Sequence, residues 1–284
     1  MIMHINGNHG YIGSHLSKVF SPSSGSDLCW FDSGNAEDFA DQSHTSDVIL
    51  HFAGHSSEPM CSNDPQGAWD NNVSKFRTML EGLGDDQLLI YASSASVYAP
   101  SSGEVNERDF TSSSRPYDCT KIVCDAIAQM YINQGKKIVG LRLGTVAGLS
   151  RVQRVDTIIN SMTKSALEKN SVMCVDPSVR RTVLFLDDLA EAIRLIIANP
   201  VPGIYNVGSL NSTVGEIAMT ISTALNADLD IVKRNSNFYD FHLDCSLFVE
   251  TFGDYLVTSL MQTVFDLYDG LPSVNQGRRD AAPH

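Results

Sequence analysis

A glycine-rich segment near the N-terminus, with Gly7, Gly10 and Gly13 at spacing three, limits the possible folds of this chain more than any other feature. It lies between residues 2–6, which alternate as a short strand, and residues 11–20, which have the spacing of an amphipathic helix. A strand, a glycine turn and a helix in this order favour a pyrophosphate at the helix N-terminus. The segment therefore predicts a dinucleotide-binding loop, although a plain strand-to-helix turn has the same pattern.

The choice of dinucleotide depends on Asp32, which ends a second predicted strand at residues 28–31 and lies 19 residues after Gly13. A carboxylate about 20 residues after the loop binds the adenosine ribose hydroxyls, and it would repel the 2′-phosphate of NADP. We therefore expect NAD. A solvated loop aspartate is the alternative, because three further acids crowd this segment: Glu37, Asp38 and Asp41. Only 14 residues separate Asp32 from Asp47, so we expect a trimmed adenine pocket.

Three polar residues have the spacing of a catalytic group. Tyr117 and Lys121 are four residues apart, and therefore lie on one helical face, 23 positions after Ser94. An ammonium beside a phenol favours its ionised form, and a phenol so activated becomes a usable base near neutrality. The alternative is a core aromatic residue and an ordinary serine at the end of a strand.

Strands and helices alternate along the chain, which predicts an α/β protein with a parallel sheet between helices. Further strands are expected at 47–53, 87–93 and 137–143, with helices at 65–83 and 116–134. We predict a Rossmann-type doubly wound parallel sheet with a smaller C-terminal substrate-binding domain. The first domain spans 1–145, and 182–199 return to it; the second comprises 146–181 and 200–272; residues 273–284 form a loose tail.

Composition narrows the class of function. The formal charge of −13, with scattered Lys and Arg residues, argues against nucleic acid as a partner. The six cysteines form no C-x-x-C pair, which suits reduced thiols in a cytoplasmic protein and indicates no metal site. The N-terminus has no basic stretch followed by an apolar run, and no 18 apolar residues are consecutive, so we expect neither export nor a membrane span.

These residues resemble the extended short-chain dehydrogenase/reductases, and within them the nucleotide-sugar epimerases of the UDP-galactose 4-epimerase type. The resemblance covers nearly the whole chain. Its carriers are GNHGYIG at 7–13, DVILHFAG at 47–54, DNNV at 70–73, YASSASVY at 91–98, YDCTK at 117–121, LRLGTV at 141–146, Arg181 ahead of DDLA at 187–190, and GIYNVG at 203–208.

The resemblance implies a role for each matching residue. Tyr117 is the general base, Lys121 holds the nicotinamide ribose and tunes Tyr117, and Ser94 hydrogen-bonds the reacting sugar oxygen. The implied NAD contacts are Gly7, Gly10, Tyr11, Ile12, Gly13, Asp32, Phe52, Ala53, Gly54, Asn72, Ser93, Tyr117, Lys121 and Gly144. The implied substrate contacts are Ser94, Ser96, Thr145, Asn160 and Arg181. Arg181 faces the substrate pyrophosphate, unless it is a surface charge, and Asn160 touches the phosphates, unless it is a polar helix position.

The reaction type follows from what the resembling family places after Ser94. Its 4,6-dehydratases carry an Asp-Glu pair there, whereas this chain has Ala95 and Ser96, so a dehydratase is not expected. We predict an NAD-dependent nucleotide-sugar 4-epimerase that oxidises a sugar hydroxyl to a ketone and returns the hydride. The alternatives are a keto-sugar reductase and a non-catalytic NAD-binding sensor or scaffold.

A further expectation from the resemblance concerns assembly. The helices at 65–83 and 116–134 carry apolar positions that in this family pair two copies, so we expect a homodimer.

Ala99 stands where the family has glycine, and Asp118 and Cys119 replace a commoner small pair beside the tyrosine. These departures concern the substrate more than the fold.

Overall fold

The computed structural model describes residues 1–21, 45–99, 101–234 and 239–272, and the backbone of 29–32. The predicted tail at 273–284 lies outside the described residues, as do the side chain of Asp32 and the acids that follow it. Among the described helices none is long and apolar enough to cross a membrane.

The described residues form one six-stranded sheet in which every pairing is parallel. Its strands are β1 (Ile2–Asn6), β2 (Cys29–Asp32), β3 (Val48–His51), β4 (Leu88–Ser94), β6 (Lys137–Leu143) and β10 (Gly203–Val207), in the order β10-β6-β4-β3-β1-β2. The chain moves outward from β1 to β2 and then returns to β3 and continues the other way. This reversal between β1 and β3 is the switch point at which parallel sheets bind ligands, and the predicted doubly wound α/β fold is confirmed.

Helices cover both faces of this sheet. On one face α1 (Tyr11–Val19) and α7 (Leu186–Ala198) bury Leu16, Leu189 and Ile193 against the strands. On the other face α4 (Lys75–Glu81) and α5 (Pro116–Ile132) bury Phe76 and Cys124. The strands are apolar on both faces because each face meets a layer of helices.

The predicted helix at 65–83 consists of three segments, namely α3 (Pro65–Trp69), a π-helical turn (Asp70–Ser74) and α4. Asp64 caps α3 by accepting the Gly67 N–H at 2.9 Å, as its position before Pro65 predicts. A short helix, α2 (Glu58–Asn63), precedes it and was not predicted. Ser57 caps α2 by accepting the Met60 N–H.

A further hydrophobic cluster lies apart from the two that cover the faces of the sheet. It joins α6 (Ile158–Lys169), α8 (Val214–Leu225) and α10 (Leu260–Gly270) through buried residues such as Ile159, Ile217 and Val264. The described residues form three short sheets besides the central one. Their strands are β7 (Thr145–Ala147), β9 (Arg180–Phe185) and β11 (Leu210–Thr213) in the first, β8 (Ser171–Val175) and β12 (Asp228–Val232) in the second, and β5 (Ser102–Val105) and β13 (Asp240–Leu243) in the third. Helix α9 (Ser246–Phe252) packs on β10 instead.

Two strands pair in sheets other than those that the predicted domain bounds suggest. Strand β10 was placed outside the central sheet, but it pairs with β6 along its whole length and forms the edge of that sheet. Strand β9 was expected to return to the central sheet, but it pairs with β7 and β11 instead, and only the following helix α7 returns. Long-range pairing decides to which sheet each strand belongs. The wider division into two domains stays a prediction.

Candidate active site

A cavity of about 850 Å³ opens at the carboxyl ends of the central strands, next to the switch point. This volume lies in the range of small-molecule and cofactor sites. Most of the predicted site residues line it, namely Gly7, Gly10, Tyr11, Ile12, Gly13, Phe52, Ala53, Gly54, Ser93, Ser94, Ser96, Tyr117, Lys121, Gly144, Thr145 and Arg181. Asn72 and Asn160 lie outside the lining, and the side chain of Asp32 lies outside the described residues. The backbone of Asp32 pairs with Ile5 in β1.

The glycine loop has the close packing that its sequence predicts. Gly7 has a φ of +96°, and a Cβ there would lie 2.6 Å from the Ala53 nitrogen. A Cβ on Gly13 would overlap the Gly7 carbonyl oxygen. Gly10 donates its N–H to that oxygen at 2.9 Å and is the N-cap of α1, without a side chain to cap the helix. The first N–H groups of α1 therefore face the cavity as an anion site.

A second observation fits a dinucleotide in this cavity. Ser93 is 2% exposed, lines the cavity, and its hydroxyl has no hydrogen-bond partner among the described residues. A buried polar atom without a partner is costly, and a bound ligand can supply that partner. With the glycine loop, this arrangement fits NAD.

Asn72 supports the cavity wall and does not reach the cavity itself. Its Oδ1 accepts the His55 N–H at 2.7 Å, and its Nδ2 donates to the His55 carbonyl at 3.0 Å and to Thr120 Oγ1 at 3.0 Å. The amide thus ties the loop after Gly54 to α5. Its assignment as a direct cofactor contact stays a prediction.

Tyr117 and Lys121 lie together at the start of α5, where Pro116 occupies the first helical position. The Lys121 Nζ is 5.9 Å from the centre of the Tyr117 ring and donates to the Ala92 carbonyl at 2.8 Å. Ser94 ends strand β4 on the same cavity. Burial, with the charge of Lys121, lowers the pKa of nearby His51 to about 3, so His51 adds no second positive charge here.

The oxygens of the Ser94 and Ser96 hydroxyls are 2.8 Å apart. A buried acid near Ser96 was not selected by sequence reasoning, namely Asp118. Asp118 accepts hydrogen bonds from Ser113 at 2.8 Å and from Tyr239 at 2.9 Å. Burial raises the pKa of Asp118, and the hydroxyl groups of Ser96, Ser113 and Tyr239 oppose the rise. From the sequence alone, Asp118 is only a departure from the small residue that the resembling family more commonly has beside the tyrosine.

Four arginines line the cavity: Arg115, Arg154, Arg180 and Arg181. Arg154 forms an ion pair with Asp156 at 2.6 Å, and Arg180 forms one with Asp240 at 3.1 Å. Burial lowers the pKa of Arg181, which remains a cation because its ordinary pKa is 12.5. Of these four arginines, the sequence predicts only Arg181 as a site residue. The other three match no motif and lie in separate segments of the chain.

Asn160 is fully buried, and structural hydrogen bonds occupy both ends of its amide. Its Oδ1 accepts the Gly148 N–H at 3.1 Å, and its Nδ2 donates to Tyr11 Oη at 3.0 Å and to the Arg154 carbonyl at 2.8 Å. These bonds favour the alternative interpretation of Asn160 as a polar helix position, and its contact with the substrate phosphates stays a prediction.

The described residues contain no group of three His, Cys, Asp or Glu side chains that could hold a metal ion. The fold, the glycine loop and the Ser94, Tyr117 and Lys121 set define a protein of the short-chain dehydrogenase/reductase class. The model of the NAD dependent epimerase/dehydratase family matches residues 3–208, and the chain belongs to this family. The predicted NAD cofactor agrees with this family.

Two curated proteins with similar sequences are named as epimerases of UDP-glucose. The chain is 26% identical over 166 residues to the uncharacterized UDP-glucose epimerase YtcB of Bacillus subtilis (strain 168), covering 54% of this chain and 50% of that protein. It is 28% identical over 174 residues to the UDP-glucose 4-epimerase of Lacticaseibacillus casei, covering 52% of each. The chain thus spans about half the length of these curated relatives.

Solved structures share the fold over nearly the whole chain. The UDP-glucuronic acid 4-epimerase from Bacillus cereus, in complex with UDP-glucuronic acid and NAD, has a TM-score of 0.81 at 21% identity, covering 95% of this chain and 98% of that one. RMD from Pseudomonas aeruginosa, complexed with NADPH, has a TM-score of 0.80 at 18% identity, covering 95% and 98%. At these identities the likeness concerns the fold alone.

Proposed function

We propose that this protein is an NAD-dependent nucleotide-sugar 4-epimerase. The observation that carries the proposal is that Ser94, Tyr117 and Lys121 line the same cavity as the glycine loop. The arginines that line this cavity supply the positive charge that a substrate diphosphate needs. The two curated relatives described above are named as epimerases of UDP-glucose, which supports a nucleotide sugar as substrate.

The chemistry that NAD supplies when bound is the removal and return of a hydride at a sugar carbon. The glycine loop binds its pyrophosphate, and Lys121 binds the adjoining ribose and favours the ionised form of Tyr117. Tyr117 takes the proton of the sugar hydroxyl and later returns it. Ser94 holds the reacting oxygen, and Arg181 binds the diphosphate so that the sugar can turn in the cavity.

A dehydratase fits this site less well. Elimination of water requires an acid and a base at neighbouring carbons. Ala95 cannot provide either, and Asp118 is fully buried with its carboxylate bonded to hydroxyl groups of the protein. The cavity therefore suits a reaction in which a single hydroxyl is oxidised and reformed.

The test uses the purified protein with NAD and UDP-glucose, and it follows the formation of UDP-galactose. An epimerase converts one sugar to the other without net consumption of NAD. Consumption of reduced cofactor with a keto sugar, and no interconversion of the two sugars, would instead establish the reductase. Binding of NAD without activity on a panel of nucleotide sugars would favour the sensor or scaffold.

We also propose that the protein is a cytoplasmic homodimer. Trp69 in α3 and Met130 in α5 expose 45% and 60% of their surface, and in the resembling family these helices pair two copies. The cysteines among the described residues are free thiols, as expected in a reducing compartment. Light scattering at micromolar concentration tests the assembly, and a monomer mass would contradict it.

A further inference from the structure

Glu58, the first residue of α2, brings a carboxylate to the residue proposed as the base. It lines the cavity, and its Oε2 accepts the backbone N–H of Tyr117 at 3.2 Å. Its Oε1 accepts the hydroxyl proton of Ser62 at 2.6 Å, so both oxygens of this half-buried side chain are held in place. The proposed reaction gives this carboxylate no use.

The contact with Tyr117 anchors Glu58 at the N-terminus of α5. Tyr117 is the second residue of this helix, and N–H groups of the first turn have no acceptor within the helix. The N-terminus of a helix also stabilises a nearby negative charge. Glu58 is therefore a fixed anion at the wall of the cavity, beside the backbone of Tyr117.

The cation nearest to this position in the sequence is Arg115, and its charge is shared among several partners. Its guanidinium carbon lies 4.8 Å from the centre of the Tyr239 ring. Burial disfavours the charge of Arg115, but Tyr239, Asp118 and Glu58 together raise its pKa. One guanidinium group thus interacts with two carboxyl groups of the protein, which leaves little positive charge for an acidic ligand.

The other arginine and lysine side chains that line the cavity have partners or assigned ligands. Arg154 and Arg180 each form an ion pair with an aspartate. In the proposed function Arg181 binds the substrate diphosphate and Lys121 binds the ribose of NAD. The part of the cavity next to Tyr117 therefore suits a sugar without a negative charge.

We propose that Glu58 is a specificity-determining residue that makes the cavity select a neutral sugar over a uronic acid sugar. The inference rests on the proposed function, in which carbon 4 of the sugar reacts at Tyr117. The carboxylate of a uronic acid is attached to carbon 5, next to the reacting carbon. It would bring a second negative charge close to that of Glu58, and the two would repel each other.

This preference narrows the class of substrate. The similar proteins described above include epimerases of UDP-glucose and of UDP-glucuronic acid. The sugars of these two nucleotides differ only on carbon 5, which carries a hydroxymethyl group in the first and a carboxylate in the second. A fixed like charge rejects the acidic sugar and needs no added contact with the neutral one.

The test compares kcat/KM for UDP-glucose and for UDP-glucuronic acid, with NAD, in the parent protein and in Glu58→Gln. The glutamine keeps an oxygen that can accept the Tyr117 N–H and removes the charge. We expect the parent protein to prefer UDP-glucose by about tenfold or more, and Glu58→Gln to reduce this ratio by about tenfold, as two like charges several ångströms apart predict. The ratio cancels any loss common to both substrates, such as a displaced Tyr117.

A control variant and a second measurement separate repulsion from other effects. Glu250→Gln changes an exposed acid in α9, which is not among the residues that line the cavity, and should leave the ratio unchanged. Dissociation constants of both nucleotide sugars, measured by calorimetry in the Tyr117→Phe background, should show the same change for Glu58→Gln and place it in binding. Thermal melting checks folding, and the ratio in the parent protein tests the inference even if Glu58→Gln does not fold.

The possible failures are distinguishable. Equal kcat/KM for the two substrates in the parent protein, a preference for UDP-glucuronic acid, or a ratio that Glu58→Gln leaves unaltered would overturn this inference while the proposed epimerase stands. If NAD binds but neither nucleotide sugar is epimerised, the proposed function fails, and the inference fails with it.

Discussion

The Lys121 ammonium lies 5.9 Å from the centre of the Tyr117 ring and is held there by a 2.8 Å bond to the Ala92 carbonyl in β4. Helix α5 and the central sheet therefore fix the two groups together. This contact brings the base proposed for the reaction to the carboxyl end of the strand that carries Ser94.

Lys121→Met should weaken NAD binding and reduce turnover by about 100-fold or more, because it removes both a ribose contact and the charge beside Tyr117. Steady-state kinetics with UDP-glucose and a titration with NAD measure the two effects. Lys169→Met changes an exposed lysine at the end of α6 and serves as the control. Equal loss in both variants would contradict a specific role for Lys121.

Gly13→Ala should abolish tight NAD binding and lower the free energy of unfolding by roughly 1–3 kcal/mol, the usual cost of overpacking. The added methyl group would overlap the Gly7 carbonyl and push α1 away from the loop. Denaturant unfolding and NAD titration check the two parts. Unchanged NAD affinity would show that the loop does not bind the cofactor.

Asp125→Asn should cost about 3 kcal/mol of stability, because it leaves the Arg142 guanidinium buried without its charged partner. The two side chains form a 2.9 Å ion pair and are only 6% and 9% exposed. Asp85→Asn is the control, since its pair with Lys136 is at the surface and Asp85 is 94% exposed. Urea unfolding should show the large change for Asp125 alone.

The stability of the protein should fall as the pH drops below about 6.5, in part because of His51. Burial lowers the pKa of His51 from 6.5 to about 3 in the folded chain, and the Asn6 amide bonded to its Nδ1 at 3.1 Å suits the neutral ring. Between these values the unfolded chain binds more protons, so stability is lost on acidification by at most about 1.4 kcal/mol per pH unit. Unfolding curves of His51→Asn should show a flatter pH dependence, and identical curves would exclude this cause.

The sequence predicts the central sheet well, because its strands are buried on both faces and end at glycine or polar residues. The bounds of Ile2–Asn6 and Lys137–Leu143 are those of the predicted strands. The capping-box spacing of Thr213 and Glu216 likewise marks the start of α8, and both bonds of the box are present. Such local signals need no knowledge of distant contacts.

The parts that the sequence could not supply depend on distant contacts. Tyr239 reaches Asp118 from 121 positions away, and no spacing rule connects them. Asn72 and Asn160 matched expected positions, but their amides are used inside the protein. The sheets to which β9 and β10 belong are likewise set by their pairing partners, which lie far from them in the sequence.

The central claim is that Tyr117 is the proton acceptor in a reaction that interconverts nucleotide sugars at bound NAD. The most direct measurement compares turnover of UDP-glucose by the unmodified protein and by Tyr117→Phe, with NAD affinity and thermal melting measured on both. Because the substitution deletes one hydroxyl and keeps the ring, turnover should fall by about 100- to 10,000-fold while NAD binding and folding persist. Full activity of Tyr117→Phe on UDP-glucose would contradict the mechanism.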